Sequence, residues 1–202
     1  MNLPPELPQL TAEHLMLVLI SVLIAISIAV PAGILFARRP AFRGAAIGLT
    51  NVLQTIPSLA LFGFLLPVPF IGGIGRQTAI TALVLYALLP VLRNTLVGIL
   101  GVDAAVRESA VAMGMTSRQV LWQVELPLAA PSIMTGIRIA TVATIGTATI
   151  AAAIGGGGLG TFIFRGIAMV DTNTVLAGAI PAAIIAIAAD GGLGWIERKL
   201  SS

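Results

Sequence analysis

The amino-acid sequence predicts an all-α integral membrane protein, one domain over residues 1–202 with five transmembrane helices. Composition is the first reason: the chain is 57% hydrophobic and only 9% charged, against roughly 45–50% apolar in a soluble domain. Its mean hydropathy is +1.04. Pattern is the second, because the apolar residues form continuous runs of the kind that spanning helices require, about 18 residues or more. A β-barrel would instead alternate over short segments. Lipid supplies the third reason, since backbone groups inside it must pair within the chain, and continuous runs satisfy that only as helices.

The first span is expected at 14–37. Its N-terminal flank is acidic (Glu6, Glu13) and its C-terminal flank basic (Arg38, Arg39, Arg43), the reverse of a signal peptide, so it reads as a retained span. By the positive-inside rule those arginines place the first loop in the cytoplasm. Alternation from there puts Arg93, Arg107, Arg118, Arg198 and Lys199 inside as well, with Arg76 and Arg165 outside. The N-terminus is then outside and the C-terminus inside. The charge of +3 and the pI near 10.6 follow from this topology and do not point to nucleic acid.

The second span, 45–66, carries Asn51, Gln54, Thr55 and Ser58 at three- and four-residue spacing, which aligns them on one helical face. Polar groups inside a span mark a candidate translocation pathway, against ordinary interhelical hydrogen bonding as the plainer reading. Pro57 has no amide to give the carbonyl of Leu53, so a kink is expected there. The third span is 78–95.

A polar insert, 103–127, interrupts the apolar pattern and lies on the cytoplasmic side of this topology. It reads as two short amphipathic helices, the first capped by Asp103 and the second by Thr116 or Ser117, with a turn at Gly114. Pro127 marks re-entry into the membrane. The fourth span, 128–154, repeats small residues every four positions (Gly136, Ala140, Thr144, Ala148, Ala152), a ridge suited to close helix packing within or between subunits. Arg138 within it is expected either to snorkel to the cytoplasmic interface or, the preferred reading, to pair with Asp190 on the helix of the fifth span, 173–189. Between these spans the run 155–160, GGGGLG, is either a flexible turn or a tightly packed loop, and Arg165 and Asp171 beside it are candidate contacts for an external protein.

Several function classes fall away. The chain has no cysteine and one histidine, His14, which removes disulfides, thiolate nucleophiles and histidine-rich metal centres. No G-x-x-x-x-G-K-[ST] is present and Lys199 is the only lysine, so nothing here cradles a nucleotide phosphate. No Ser-His, paired Asp or metal-ligand set lies in the spans. A secondary transporter would need an embedded coupling site and a repeat of spans; Arg138 and Asp190 are the only candidates and no repeat is visible. Tyr86, Trp122 and Trp195 are too scattered for an aromatic cage around a quaternary ammonium group.

The insert carries a resemblance. Glu108-Ser109-Ala110, then Gly114, then Val124 and Leu126-Pro127 reproduce the spacing of the EAA loop of bacterial ATP-binding-cassette importer permeases, with Ser109 and Val124 as conservative departures. Gln54-Thr55-Ile56-Pro57-Ser58, Leu89-Pro90, Arg93-Asn94-Thr95, Gly136-Ile137-Arg138 and 154–160 resemble the osmoprotectant branch, which imports glycine betaine, carnitine or choline. The resemblance begins at about Ala45 and implies the five-helix core of type I importers. It implies a non-catalytic permease of the bacterial cytoplasmic membrane, for osmoprotectants or another small amino-acid-like solute. The chain would bind no cofactor itself, ATP being used by a cytoplasmic ATPase dimer docked on Glu108, Ser109, Ala110, Gly114, Val124, Leu126 and Pro127. The other implied partners are a second permease subunit, alike or different, an extracytoplasmic substrate-binding protein that holds most of the selectivity, and membrane lipid.

Overall fold

The computed structural model describes residues 4–201, apart from the side chains at 40, 46, 49, 50 and 53, and all of its regular structure is helical. Helix α1 is Leu7–Ala37. Helices α2 (Pro40–Thr55) and α3 (Ser58–Leu65) follow, then α4 (Arg76–Leu100). The insert holds α5 (Ala104–Ala112) and α6 (Ser117–Val120). A π turn, Leu121–Glu125, leads into α7 (Leu126–Ala148), which ends in a 3-10 turn, Thr149–Ile154. Helices α8 (Gly160–Met169) and α9 (Thr172–Leu200) complete the chain. Four helical stretches among the described residues are long and apolar enough to cross a membrane: Leu7–Ala37, Arg76–Leu100, Ser117–Ile154 and Thr172–Leu200.

Helices α1, α4 and α7 pack against one another as the core; α9 lies on α7, and α8 on α9. The core buries Leu17, Phe62, Leu83 and Ile145, yet many large apolar side chains also face outward. In the second half of α1 the buried face is mostly small (Ser21, Ala25, Ala29, Gly33, Ala37), while Leu15, Met16, Leu19, Leu23 and Ile28 along the helix are exposed. Lipid is as apolar as leucine, so burying large side chains brings no transfer gain, and close backbone approach decides which face turns inward. The ridge on α7 follows the same rule. Ala140, Thr144 and Ala148 are buried within the chain, and a Cβ on Gly136 would lie 2.6 Å from the Cβ of Asn94 and 2.7 Å from the carbonyl oxygen of Pro90. The ridge is therefore an internal seam.

The structure departs from the sequence expectation in several places. Among the described residues four stretches and not five are long enough to span, α1 begins at Leu7 and not at 14, and α4 runs to Leu100 and not to 95. The span at 45–66 is two helices, because Ile56 and Pro57 are extended (ψ 123° and 135°); the proline breaks the helix where a kink was expected. The second half of the insert is continuous with α7, because the π turn absorbs an extra residue by letting the amide of Leu126 reach back to Leu121. Pro127 is the second residue of α7, directly after that turn, and its missing amide falls where the hydrogen-bond pattern changes. The last helix runs eleven residues past 189, to Leu200, because the loss of hydropathy at Asp190 ends the apolar run and not the helix. Helix α8 was not anticipated: ten residues are too few to register as a span.

Candidate functional site

The insert is a helical knob held on the body from one side. Asp103 caps α5 by accepting from the amide of Ala105, and Thr116 and Gln119 form a reciprocal capping box on α6. Between them Gly114 adopts φ +85°, with Met115 donating to Ala110 and Gly114 to Val111. That pair of bonds closes α5 in a left-handed C-terminal turn, which glycine adopts without a Cβ penalty. A Cβ at Gly114 would meet nothing within 4 Å, so backbone conformation, and not crowding inside the chain, calls for glycine there.

Glu125 anchors the knob. Its carboxylate is 2.9 Å from Arg38 at the end of α1 and 3.0 Å from Arg107 on α5, and the residue is only 7% exposed. Arg107 also donates to the carbonyl of Ile99, and Arg38 to that of Ser117 at 3.3 Å. Ala110 turns inward, whereas Glu108, Ser109, Val111, Met113 and Gly114 face outward. Val124 and Leu126 are half-buried and Pro127 is exposed at the root. The structure thus brings Glu108, Ser109 and Gly114 onto one accessible knob, with Val124, Leu126 and Pro127 joining it to the membrane helix. Glu125 lies inside the motif yet carried no assigned role, because its two partners come from distant positions.

On the second span Asn51, Gln54, Thr55 and Pro57 are exposed and Ser58 is half-buried. Gln54 donates its amide to the carbonyl of Tyr86 at 3.4 Å, and Thr55 its hydroxyl to that of Val52 at 2.7 Å. The Tyr86 hydroxyl donates to the carbonyl of Ile56.

Arg138 and Asp190 meet face to face: Nε donates to Oδ1 at 2.6 Å and a terminal nitrogen to Oδ2 at 2.8 Å. The other terminal nitrogen reaches Glu197 at 3.3 Å, and Glu197 also accepts from the Thr135 hydroxyl at 2.8 Å. Asp190, Gly194 and Glu197 recur at helical spacing on α9. A Cβ on Gly194 would lie 2.9 Å from the guanidinium, so this glycine is the groove in which Arg138 lies. With Ile139, Val142 and Ala143 the pair lines an open cleft of about 400 Å³.

At the opposite end of the molecule the glycine run is packed. Gly156, Gly158 and Gly160 are buried. The amide of Gly158 donates to Glu13 at 3.3 Å, Glu13 is 3.0 Å from Arg76, and a Cβ on Gly158 would crowd His14 at 3.2 Å. Arg165 pairs with Glu6 at 2.9 Å. Asp171 caps α9, accepting from the amide of Asn173 at 3.0 Å and from the Thr174 hydroxyl, and these bonds, the hydroxyl foremost, hold its carboxyl below the usual range. Both side chains thus have partners within the chain, and Arg165 and Glu6 remain exposed at this end. Among the described residues no three His, Cys, Asp or Glu side chains gather as a metal ion would need.

Comparison with known proteins agrees with this geometry. The family model described as "Binding-protein-dependent transport system inner membrane component" matches residues 29–202. The chain is 45% identical over 196 residues to the choline transport system permease protein OpuBB of Bacillus subtilis (strain 168), covering 97% of this chain and 89% of that one. It is 46% identical to the carnitine transport permease protein OpuCB of Listeria monocytogenes, covering 95% and 86%. To the osmoprotectant import permease protein OsmW of Salmonella typhimurium it is 42% identical, covering 96% and 89%. Among solved structures, an inward-facing form of the MetNI methionine ABC transporter superposes with a TM-score of 0.82 at 23% identity, covering 93% of both chains. The fold is that of a type I ABC importer permease, and the chain belongs to the family of inner-membrane components of binding-protein-dependent transport systems.

Proposed function

We propose that this chain is the permease of an ATP-driven importer for small quaternary-ammonium osmoprotectants, of the choline, carnitine and glycine betaine class. The names of its relatives support the substrate class. The knob supports the mode of action. An exposed helix–turn–helix, pinned by Glu125 and continuous with a membrane helix, suits docking into a cleft of a cytoplasmic ATPase and transmitting its movement. In this reading the insert end faces the cytoplasm, the N-terminus lies outside and the C-terminus inside. A second permease subunit completes the pathway beside the exposed stripe of α2, and an external binding protein delivers the solute. The Arg138–Asp190 pair is structural, since its charges satisfy each other.

The carrying observation is the Gly114 turn at the knob's apex. Gly114→Asp adds a charge to a left-handed residue that crowds nothing in the chain, at a cost of about 1–2 kcal/mol in the turn. The variant is expected to reach the membrane but to bind less ATPase and import little betaine or choline. Glu108→Ala is expected to do the same more mildly, because interfacial charge pairs contribute variable amounts. Pull-down of the ATPase together with uptake of radiolabelled solute reads both. Full binding and full uptake by Gly114→Asp would exclude docking through this stretch.

A further inference from the structure

We infer that the break between α2 and α3 is a subsite for a quaternary ammonium head group, a reading that rests on the α2 stripe lining the pathway. Pro57 has no amide for the carbonyl of Leu53, and α2 stops at Thr55, so the carbonyls of its last turn lose their intrahelical partners. The carbonyl of Ile56 is satisfied by Tyr86. The carbonyl of Val52 accepts the Thr55 hydroxyl, and those of residues 53–55 form the negative end of a half-helix within an apolar stretch, a device that suits a cation.

The side chains beside this end agree in sign. Thr55 uses its single O–H on the carbonyl of Val52, and Gln54 turns its amide nitrogen to the carbonyl of Tyr86. What remains unpaired is mostly acceptor: the hydroxyl lone pairs of Thr55 and the amide oxygen of Gln54, beside the second N–H of that amide. Both residues are exposed, as is Pro57. A site rich in acceptors favours a ligand that needs no acceptor in a fixed direction, only diffuse negative potential and room for methyl groups. A trimethylammonium group meets that description. Across the two extended residues α3 presents its first amides, so the field reverses at Ser58.

The test uses single cysteines in this chain, which has none of its own, with labelling read on this subunit after separation from its partners. Thr55→Cys and Ser58→Cys are placed in the assembled importer in membranes. Each is treated with a trimethylammonium-ethyl or a sulfonato-ethyl methanethiosulfonate, with rates divided by those for a free thiol. At position 55 the cationic reagent is expected to react about fivefold faster, the factor that a charge at a helix end commonly gives. Choline should slow it, and at position 58 the preference should turn toward the sulfonate reagent. Pro57→Ala, which restores an amide for Leu53, should reduce the preference at position 55. Reaction with both reagents and no cationic preference would overturn the subsite while leaving the pathway reading intact. No reaction with either would overturn both. A preference unchanged by Pro57→Ala would mean that the break is not its source.

Discussion

Glu125 is the residue on which the insert depends. Two arginines from opposite directions converge on it, and Arg38 remains 39% exposed while the carboxylate is only 10% exposed. Replacing it with Gln leaves two guanidinium groups competing for a neutral acceptor. The expected loss is on the order of 2 kcal/mol, less than for a fully buried pair because solvent still reaches Arg38. The knob should loosen before the bundle does. Hydrogen exchange is expected to rise over 104–120 with little change in the core of α4. Uniform exchange across the chain, or none, would show that Glu125 does not fasten the knob in particular. The motif spacing made Glu108 and Gly114 legible, since it records what a partner would meet. It did not reveal Glu125, whose environment is assembled from residues 87 and 18 positions away. Arg138 and Asp190 were legible as a pair because intramembrane charges rarely stay alone; Glu197 escaped notice because it lay beyond the expected end of its helix.

Helices in this chain are joined by what they lack. At Gly136 a side chain would have to push aside the carbonyl oxygen of Pro90, which belongs to backbone and cannot swing away. Gly136→Leu is expected to cost about 1–3 kcal/mol through forced separation of α4 and α7, and Thr144→Leu should act likewise. Gly146→Ala is the contrast on the same helix. Its Cβ would meet nothing within 4 Å, so folding should be unchanged or improved by up to about 1 kcal/mol. Thermal unfolding of the three variants in one detergent orders them. A normal midpoint for Gly136→Leu would place the seam elsewhere. Hydropathy located these elements well where helices are continuous. It failed at α2–α3, where the span contains its own interruption, and at α8, where a short helix lies against α9 and is too brief for the pattern to register. The four-residue ridge on α7 was readable as close packing, but its partner was not, because small residues look alike whether they meet a neighbour in the same chain or in another.

For the molecule as a whole, the two ends differ in chemistry. The insert end is gathered around Glu125, whereas the other end is gathered around Glu13, His14 and the glycine run. A cysteine at Ser117 and another at Thr161 should therefore react with an impermeant reagent from opposite sides of the membrane; labelling from one side would overturn the proposed topology. The glycine end also joins the first helix to a segment made much later. The amide of Gly158 reaches Glu13 across 145 positions, and Arg165 reaches Glu6 across 159. At ribosomal rates of about 5–20 residues per second, the first helix waits roughly 7–30 s for those partners. During that interval His14 and Ser21, which end with no exposed surface, have neither α7 nor the glycine loop to cover them. Polar groups facing lipid are costly. The nascent first helix thus needs shelter, from the insertion machinery or from a shallow position at the bilayer surface, first until α4 packs against it and then until α7 and the glycine loop arrive.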